Sequence, residues 1–556
     1  MRATRLRAVV LLSCGLVLAS GSGCARERKP RGRFILISLD TLRADHLGAY
    51  GYGRPTSPFF DSLARRGNLF ENAVAQLPGT LPSHMSIFTG LYPPEHGVYP
   101  EVALSPLIRT LPEVLRAEGF PTAGHTEGGY VAGRYGFARG FGEWSDDWPM
   151  VERAGELVKS RDAVKRTFRL GLESLRRLRD RDAFFLFLHT YSIHDPYDPP
   201  EPYRSLYWSG PPPPGAFAPK GLDLAAFNRG ERALAPRAVE YYKALYDAQI
   251  NYTDDVLRDF FAGIAELKLA DSVTVIITSD HGEEFLEHGK LVHEQVYPEC
   301  LHVPLLVLRP GQKAGRRVST LVQSIDLAPT VYELAGVPPA RRPSMSGRSL
   351  APLLEGDGSP LGRDAYAEAF VTGDRAVYRQ TEGGLFQYLR REPPVARDGT
   401  WVTRSTWLET FSPALEFWAA SYHEPRPLRI RVDGKPLRTE RLDTTGRWFR
   451  VPLPGNGKRR VDLDTPGCLS PASLGESGDP RCLSFLLQGL SPSRSELYDL
   501  SRDPGAAVDL SNERFALAGE LAARLDALRF RRLADPGKAP PDPEQAELLR
   551  ALGYVR

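Results

Sequence analysis

Two apolar runs constrain this chain more than any other feature, because each stops on a residue type that binds metals. Phe34-Ile-Leu-Ile-Ser-Leu39 stops on Asp40, and Val273-Thr-Val-Ile-Ile-Thr278 stops on Ser279-Asp280-His281. A strand with one wet face alternates apolar and polar residues. A run without that alternation is buried on both faces, as in a parallel sheet covered by helices. Phe184 to His189 is a third such run and leads into the loop Thr190 to Pro200. Helical patterns lie between the strands at Pro58 to Arg66, Thr110 to Glu118 and Pro236 to Leu267, with another capped by Asp326 and stopped at Gly336. Val303 to Leu308 reads as a strand at the sheet margin, because Pro304 has no N–H for a ladder. Buried strands alternating with helices predict an α/β fold, a doubly wound and mostly parallel sheet. In such sheets the site lies at the carboxyl ends of the strands. Asp40, the His189 to His194 loop and Asp280-His281 all fall there.

The stretch Ala75 to Val98, AQLPGTLPSHMSIFTGLYPPEHGV, supplies a hydroxyl to meet those ends. Thr80 sits in a Pro-bracketed turn before a helical segment of small residues. Asp40, Asp280 and His281 offer two carboxylates and an imidazole, a mixed set that suits Zn²⁺, Mn²⁺ or Fe better than an all-oxygen Ca²⁺ cage. The expected cofactor is one divalent ion (Zn²⁺, Mn²⁺ or Ca²⁺), with Thr80 as a fourth ligand. A free hydroxyl is a weak nucleophile, and coordination lowers its pKa and aims it at an electrophilic phosphorus or sulfur. Thr80 can equally serve as the N-cap of the helix, where exposed N–H groups favour an anion.

These segments, with others, resemble the sulfatase family of the alkaline phosphatase superfamily. Asp40-Thr-Leu-Arg-Ala-Asp-His-Leu-Gly-Ala-Tyr-Gly-Tyr52 is similar to the family's opening. Thr80-Leu-Pro-Ser-His84, followed by Thr89-Gly90 and His96-Gly97-Val98, stands where the family has its Cys/Ser-x-Pro-x-Arg signature. Ser279-Asp-His-Gly-Glu-Glu-Phe-Leu-Glu-His-Gly289 resembles the second metal motif. Ser324 to Thr330, Glu496 to Pro504 and Leu552 to Tyr554 resemble later family segments.

The resemblance implies a metal-dependent hydrolase of anionic esters, whether small molecules, glycans or lipid headgroups. It places His293 where the family has a lysine that holds ester oxygens. It makes His194 the loop histidine that protonates the leaving group, a task suited to imidazole's ordinary pKa. His84, Arg43 and His189 are the expected substrate contacts, with capping of the next turn the alternative for Arg43 and a hydrogen-bonded core place the alternative for His189. Glu284 and His288 are expected to support His281, and His125 falls near the family's catalytic lysine region.

Three residues depart from the family pattern. Threonine replaces the Cys or Ser that becomes formylglycine, so no formylglycine is expected and the chemistry tilts toward phosphodiesters and phosphomonoesters. His84 replaces the signature arginine, and Thr41 replaces the second of two aspartates. The competing readings are a true sulfatase on sulfated glycans, a phosphoethanolamine-type transferase, and a non-catalytic binding protein. Transferases of that type carry several membrane spans ahead of the catalytic domain, which this sequence does not show.

The remaining sequence sets the surroundings. The net charge of +3 over 556 residues gives no reason to expect nucleic acid. Met1 to Arg7 carries three arginines, Ala8 to Ser20 is a short apolar run, and Gly21-Ser-Gly-Cys24 resembles a lipoprotein cleavage box. The expectation is a signal over residues 1–24, lipidation at Cys24, membrane attachment by the lipid, and a periplasmic or cell-surface place in a bacterial envelope. The catalytic domain is read as 33–365, and a small C-terminal α+β subdomain as 366–394 and 491–556. A β-rich insert spans 395–490, where Leu428 to Gly434 and Arg447 to Leu453 alternate. Ala376 to Arg391 is read as a strand of the small sheet. In an oxidising compartment Cys468 and Cys482 are expected to form a disulfide closing one loop, with Cys300 packed as a small hydrophobe.

Overall fold

The computed structural model describes residues 32–538 except 101, 148–149, 154–155, 217–226, 229–232, 357–361, 391–399, 403–404, 411–413, 456–458, 471–473, 475–482, 493–494 and 512. The signal segment with Cys24, the Leu552 to Tyr554 ending and Cys482 lie outside the described residues. Cys468 is disulfide-bonded, and Cys300 is a buried free thiol.

The organising element is an eight-stranded sheet. In chain order its strands are β1 (Gly32–Leu39), β2 (Asn68–Val74), β3 (Thr122–His125), β4 (Glu143–Ser145), β5 (Ala183–Thr190), β6 (Val273–Thr278), β7 (Leu305–Leu308) and β8 (Arg316–Gln323). Their spatial order is β8-β2-β7-β6-β1-β5-β3-β4. The central strand β1 pairs in parallel with β5 on one side and β6 on the other. Ile37 sits opposite both Leu188 and Ile277. Only β7 runs against its neighbours, β2 and β6. This corrects the expectation of a margin strand. Pro304 precedes the first paired residue, so its missing N–H costs the ladder nothing.

The continuous apolar pattern has the predicted cause. Phe34 and Leu36 of β1 face one hydrophobic cluster, and Ile35, Ile37 and Leu39 face another. On the first side lies the helix α1 (Thr80–Thr89), which inserts Leu81, Met85, Ile87 and Phe88. On the second lie α2 (Ala163–Leu178) and the long α3 (Pro236–Glu266). With both faces covered, Ile37→Ala is expected to cost about 2–5 kcal/mol. Urea unfolding measures it, and a cost below about 1 kcal/mol would mean that the layer is not closely packed.

The C-terminal part is built from antiparallel sheets. Ala365–Glu368, Arg375–Thr381, Gly384–Arg390 and Ser495–Asp499 form one, backed by the helix Phe515–Ala527. The stretch read as a single strand from Ala376 is therefore a hairpin that turns at residues 382–383. Between Arg390 and Ser495 two four-stranded antiparallel sheets enclose their own core, with Leu415, Phe417, Leu428, Ile430, Val461 and Leu463 buried inside. No helix among the described residues is long and apolar enough to cross a membrane.

Candidate active site

Where β1 ends, the Asp40 N–H donates to Thr190 O at 3.1 Å, so Asp40 still belongs to the ladder with β5. The chain then turns at Thr41, which adopts φ 57°, a left-handed conformation that is costly for a β-branched residue. Two bonds hold that turn. The Thr41 N–H donates to Asp280 Oδ1 at 3.3 Å, and its hydroxyl donates to Asp40 O at 2.8 Å. The Leu42 N–H donates to Ser279 Oγ, and the Ser279 hydroxyl donates to His281 O at 2.7 Å. The turns after β1 and β6 are thereby stitched together.

Thr80 is the first residue of α1, and the extended Gly79 is its N-cap, so Thr80 does not itself cap the helix. Pro82 is tolerated because it lies in the first turn. The Ser83 hydroxyl donates to Asp280 O at 2.7 Å and ties the helix to the β6 end. Thr80 Oγ1 lies 3.3 Å from His281 Nε2. His281 Nδ1–H donates to Gly282 O at 2.9 Å, which leaves a lone pair on Nε2. That lone pair faces Asp280 Oδ2 at 3.3 Å.

Asp40, Asp280 and His281 are fully buried, and their ligand atoms lie within 4.8 Å of one another. Asp280 Oδ2 accepts no hydrogen bond. Burial opposes the charge of Asp280, yet His281, His84 and His189 hold it below the usual carboxylate range. Facing acceptors in a dry site fit a cation between them. A divalent ion therefore suits Asp40, Asp280, His281 and the Thr80 hydroxyl.

The histidines divide into two groups. His194 and His293 meet, Nε2 to Nε2, at 3.3 Å. His194 Nδ1–H donates to Asp195 O, and His293 Nδ1–H donates to Pro78 O at 3.3 Å. The His293 ring lies 4.3 Å from that of His281. Burial, then the neighbouring His281 and His194, lower the His293 pKa well below its ordinary value.

His84 and His189 are fully buried and make their contacts to Thr80, Ser38 and Asp40. His84 Nδ1–H donates to Thr80 O and its Nε2 accepts from the Ser38 hydroxyl, both at 2.9 Å. It braces the start of α1 against β1, and burial lowers its pKa. His189 Nε2–H donates to Asp40 Oδ2 at 3.0 Å and orients that carboxylate. The same two rings and Asp40 form a second group of close donor atoms. His84 spends both nitrogens on protein partners, so that group is the support beneath the site.

Other expectations change as well. The Arg43 guanidinium donates to Asp45, Glu287 and Glu283 O. Glu284 and His288 do not support His281. Glu284 accepts from residues just after His293, while His288 pairs with Glu299 and donates to Ala506 O. His125 is held between Ser145 and Ser174. Ser38, Ser83, Ser279 and Glu127 build the site without being metal-type or nucleophile candidates in the sequence. Glu127 accepts from the Thr190 hydroxyl and the Tyr191 N–H and fixes the end of β5. Ser279 was findable as the immediate neighbour of Asp280.

By family comparison the chain is an ester hydrolase of the alkaline phosphatase superfamily. Within it, the chain belongs to the sulfatase family, whose profile matches residues 33–337. It is 26% identical over 372 residues to Arylsulfatase K of Homo sapiens, which covers 61% of this chain and 69% of that protein. A protein solved in complex with its substrate D-glucosamine-2-N,6-O-disulfate superposes with TM-score 0.58 at 16% identity, covering 89% of this chain and 97% of that one. The phosphonate monoester hydrolase of Agrobacterium radiobacter superposes with TM-score 0.55 at 18% identity, covering 89% and 95%.

Proposed function

We propose that this sulfatase-family hydrolase cleaves phosphate esters, phosphodiesters foremost, with Thr80 itself as the nucleophile. The observation that carries this is the Thr80 hydroxyl, placed at the head of α1 and 3.3 Å from His281 Nε2. Its Cβ already bears a methyl group, so oxidation there gives a ketone and no formylglycine. An ester formed on Thr80 therefore leaves only when water attacks the phosphorus or sulfur atom. Phosphoryl groups accept that second attack readily.

Asp40, Asp280, His281 and Thr80 would hold a divalent ion, whose positive charge would acidify the hydroxyl and offset the anionic ester. With its proton lost to solvent before the ester arrives, the Thr80 oxygen attacks phosphorus as the bond to the leaving oxygen breaks. His194, paired through Nε2 with a neutral His293, gives that oxygen its proton. Water then attacks the phosphorus of the Thr80 ester, His194 takes the water's proton, and Thr80 leaves as the deprotonated oxygen that began the cycle. The N–H groups opening α1 face the transferred group's oxygens.

A second reading, sulfate-ester hydrolysis on glycans, is favoured by the names of the relatives and of the disulfate complex. Initial rates on aryl sulfate, phosphomonoester, phosphodiester and phosphonate, each with Zn²⁺, Mn²⁺ or Ca²⁺, separate the two. The phosphodiester is expected to show the highest kcat/KM. Dominant aryl sulfate turnover would transfer the assignment to the second reading.

A further inference from the structure

His293 is delivered to the site by a short hairpin whose geometry is unusual. Glu284–Phe285 pairs antiparallel with Leu291–Val292, and Glu284 lies in register with Val292. Val292, the residue before His293, adopts φ 74°. A β-branched residue rarely enters that region, and it persists only where its surroundings hold it there.

The holding group is Glu284. Its side chain is buried. Oε2 accepts the Glu294 N–H at 2.7 Å, and Oε1 accepts from Gln295 Nε2 at 2.7 Å. One carboxylate thus grips the two residues that follow His293, while the ladder grips the residue before it. The hairpin tip has anchors of its own besides the 3.3 Å bond from Gln295 Nε2 to His288 O. His288 stacks on Tyr297 with ring centroids 3.6 Å apart and bonds Glu299 and Ala506 O. Loss of the Glu284 carboxylate therefore loosens the His293 end and leaves the tip in place.

We infer that Glu284 is the positioning residue for His293, fixing the strained Val292-His293 turn so that the imidazole faces His194 and the ester. The inference rests on the reading of His293 as a group that meets the substrate. Glutamine at this position keeps both contacts at the cost of the 3.3 Å bond from Gln295 Nε2 to His288 O. Its carbonyl accepts the Glu294 N–H, and its amide donates to Gln295 once that side chain turns over.

The test is a double-mutant cycle on the metal-loaded enzyme, with the best ester of the panel. Glu284→Ala is expected to lower kcat about 10- to 100-fold, with a smaller change in KM. Glu284→Gln is expected to keep activity within a few-fold of wild type. In the His293→Ala background, Glu284→Ala is expected to cost nothing more, because it acts through that ring. An equal loss in both backgrounds, or no rescue by glutamine, overturns the inference and leaves the role of His293 standing. Full activity in His293→Ala overturns the reading of His293 and the inference with it.

Discussion

Thr80→Ala is expected to lower kcat by about 10⁴- to 10⁶-fold, the scale on which removal of a covalent nucleophile acts. Among the described residues, the neighbouring serine hydroxyls are already committed. The hydroxyls of Ser38, Ser83 and Ser279 already donate to His84 Nε2, Asp280 O and His281 O. Thr80→Ser keeps the oxygen and loses only a methyl group, and is expected to retain most of the turnover. Thr80 is buried at a helix start, yet alanine fits there, so the thermal midpoint should move little. A peptide mass spanning Thr80 should read as unmodified threonine. Phosphodiester turnover that survives Thr80→Ala removes Thr80 as the nucleophile.

Stripping divalent ions is expected to abolish turnover, and Zn²⁺ or Mn²⁺ should restore it. The argument is electrostatic. Asp40 and Asp280 bring two carboxylates into one dry site, and removing water from like charges is costly unless something neutralises them. A bound ion therefore also stabilises the fold, by about 2.7 kcal/mol at a free concentration one hundred times its Kd. Asp280→Asn should lower kcat about 10³-fold, roughly 4 kcal/mol of lost transition-state stabilisation. Elemental analysis of the purified protein and melting curves with and without added ion measure both effects. Restoration by Ca²⁺ alone would contradict the preference drawn from the His281 nitrogen. Full activity after complete removal would end the metal assignment.

The strand ends were legible because burial on two faces leaves a plain trace in sequence, and because Asp40, Asp280 and His281 directly follow such runs. The direction of β7 was not. Orientation depends on which strand a segment lies beside, and an apolar run reads the same either way. The partners of the polar side chains were hidden for the same reason. Arg43 looks like an anion ligand until Glu287 is placed beside it, and His84 looks like a substitute for arginine until Ser38 meets its far nitrogen. Glu284 was read as serving its near neighbour in sequence. Folding of the hairpin gave it a different one, ten residues on, through the Glu294 N–H.

The strands Gly384–Arg390 and Ser495–Asp499 are adjacent in their sheet, and Arg390 stands directly opposite Ser495 on the same rung. Everything between them therefore leaves and returns at a single point. In topological terms the double-sheet unit is one long excursion from a hairpin, and the two ends it spans are already a turn apart. A two-residue Asn-Gly link suits that gap. Removing the excursion therefore requires no rearrangement of the two strands that remain paired at this rung.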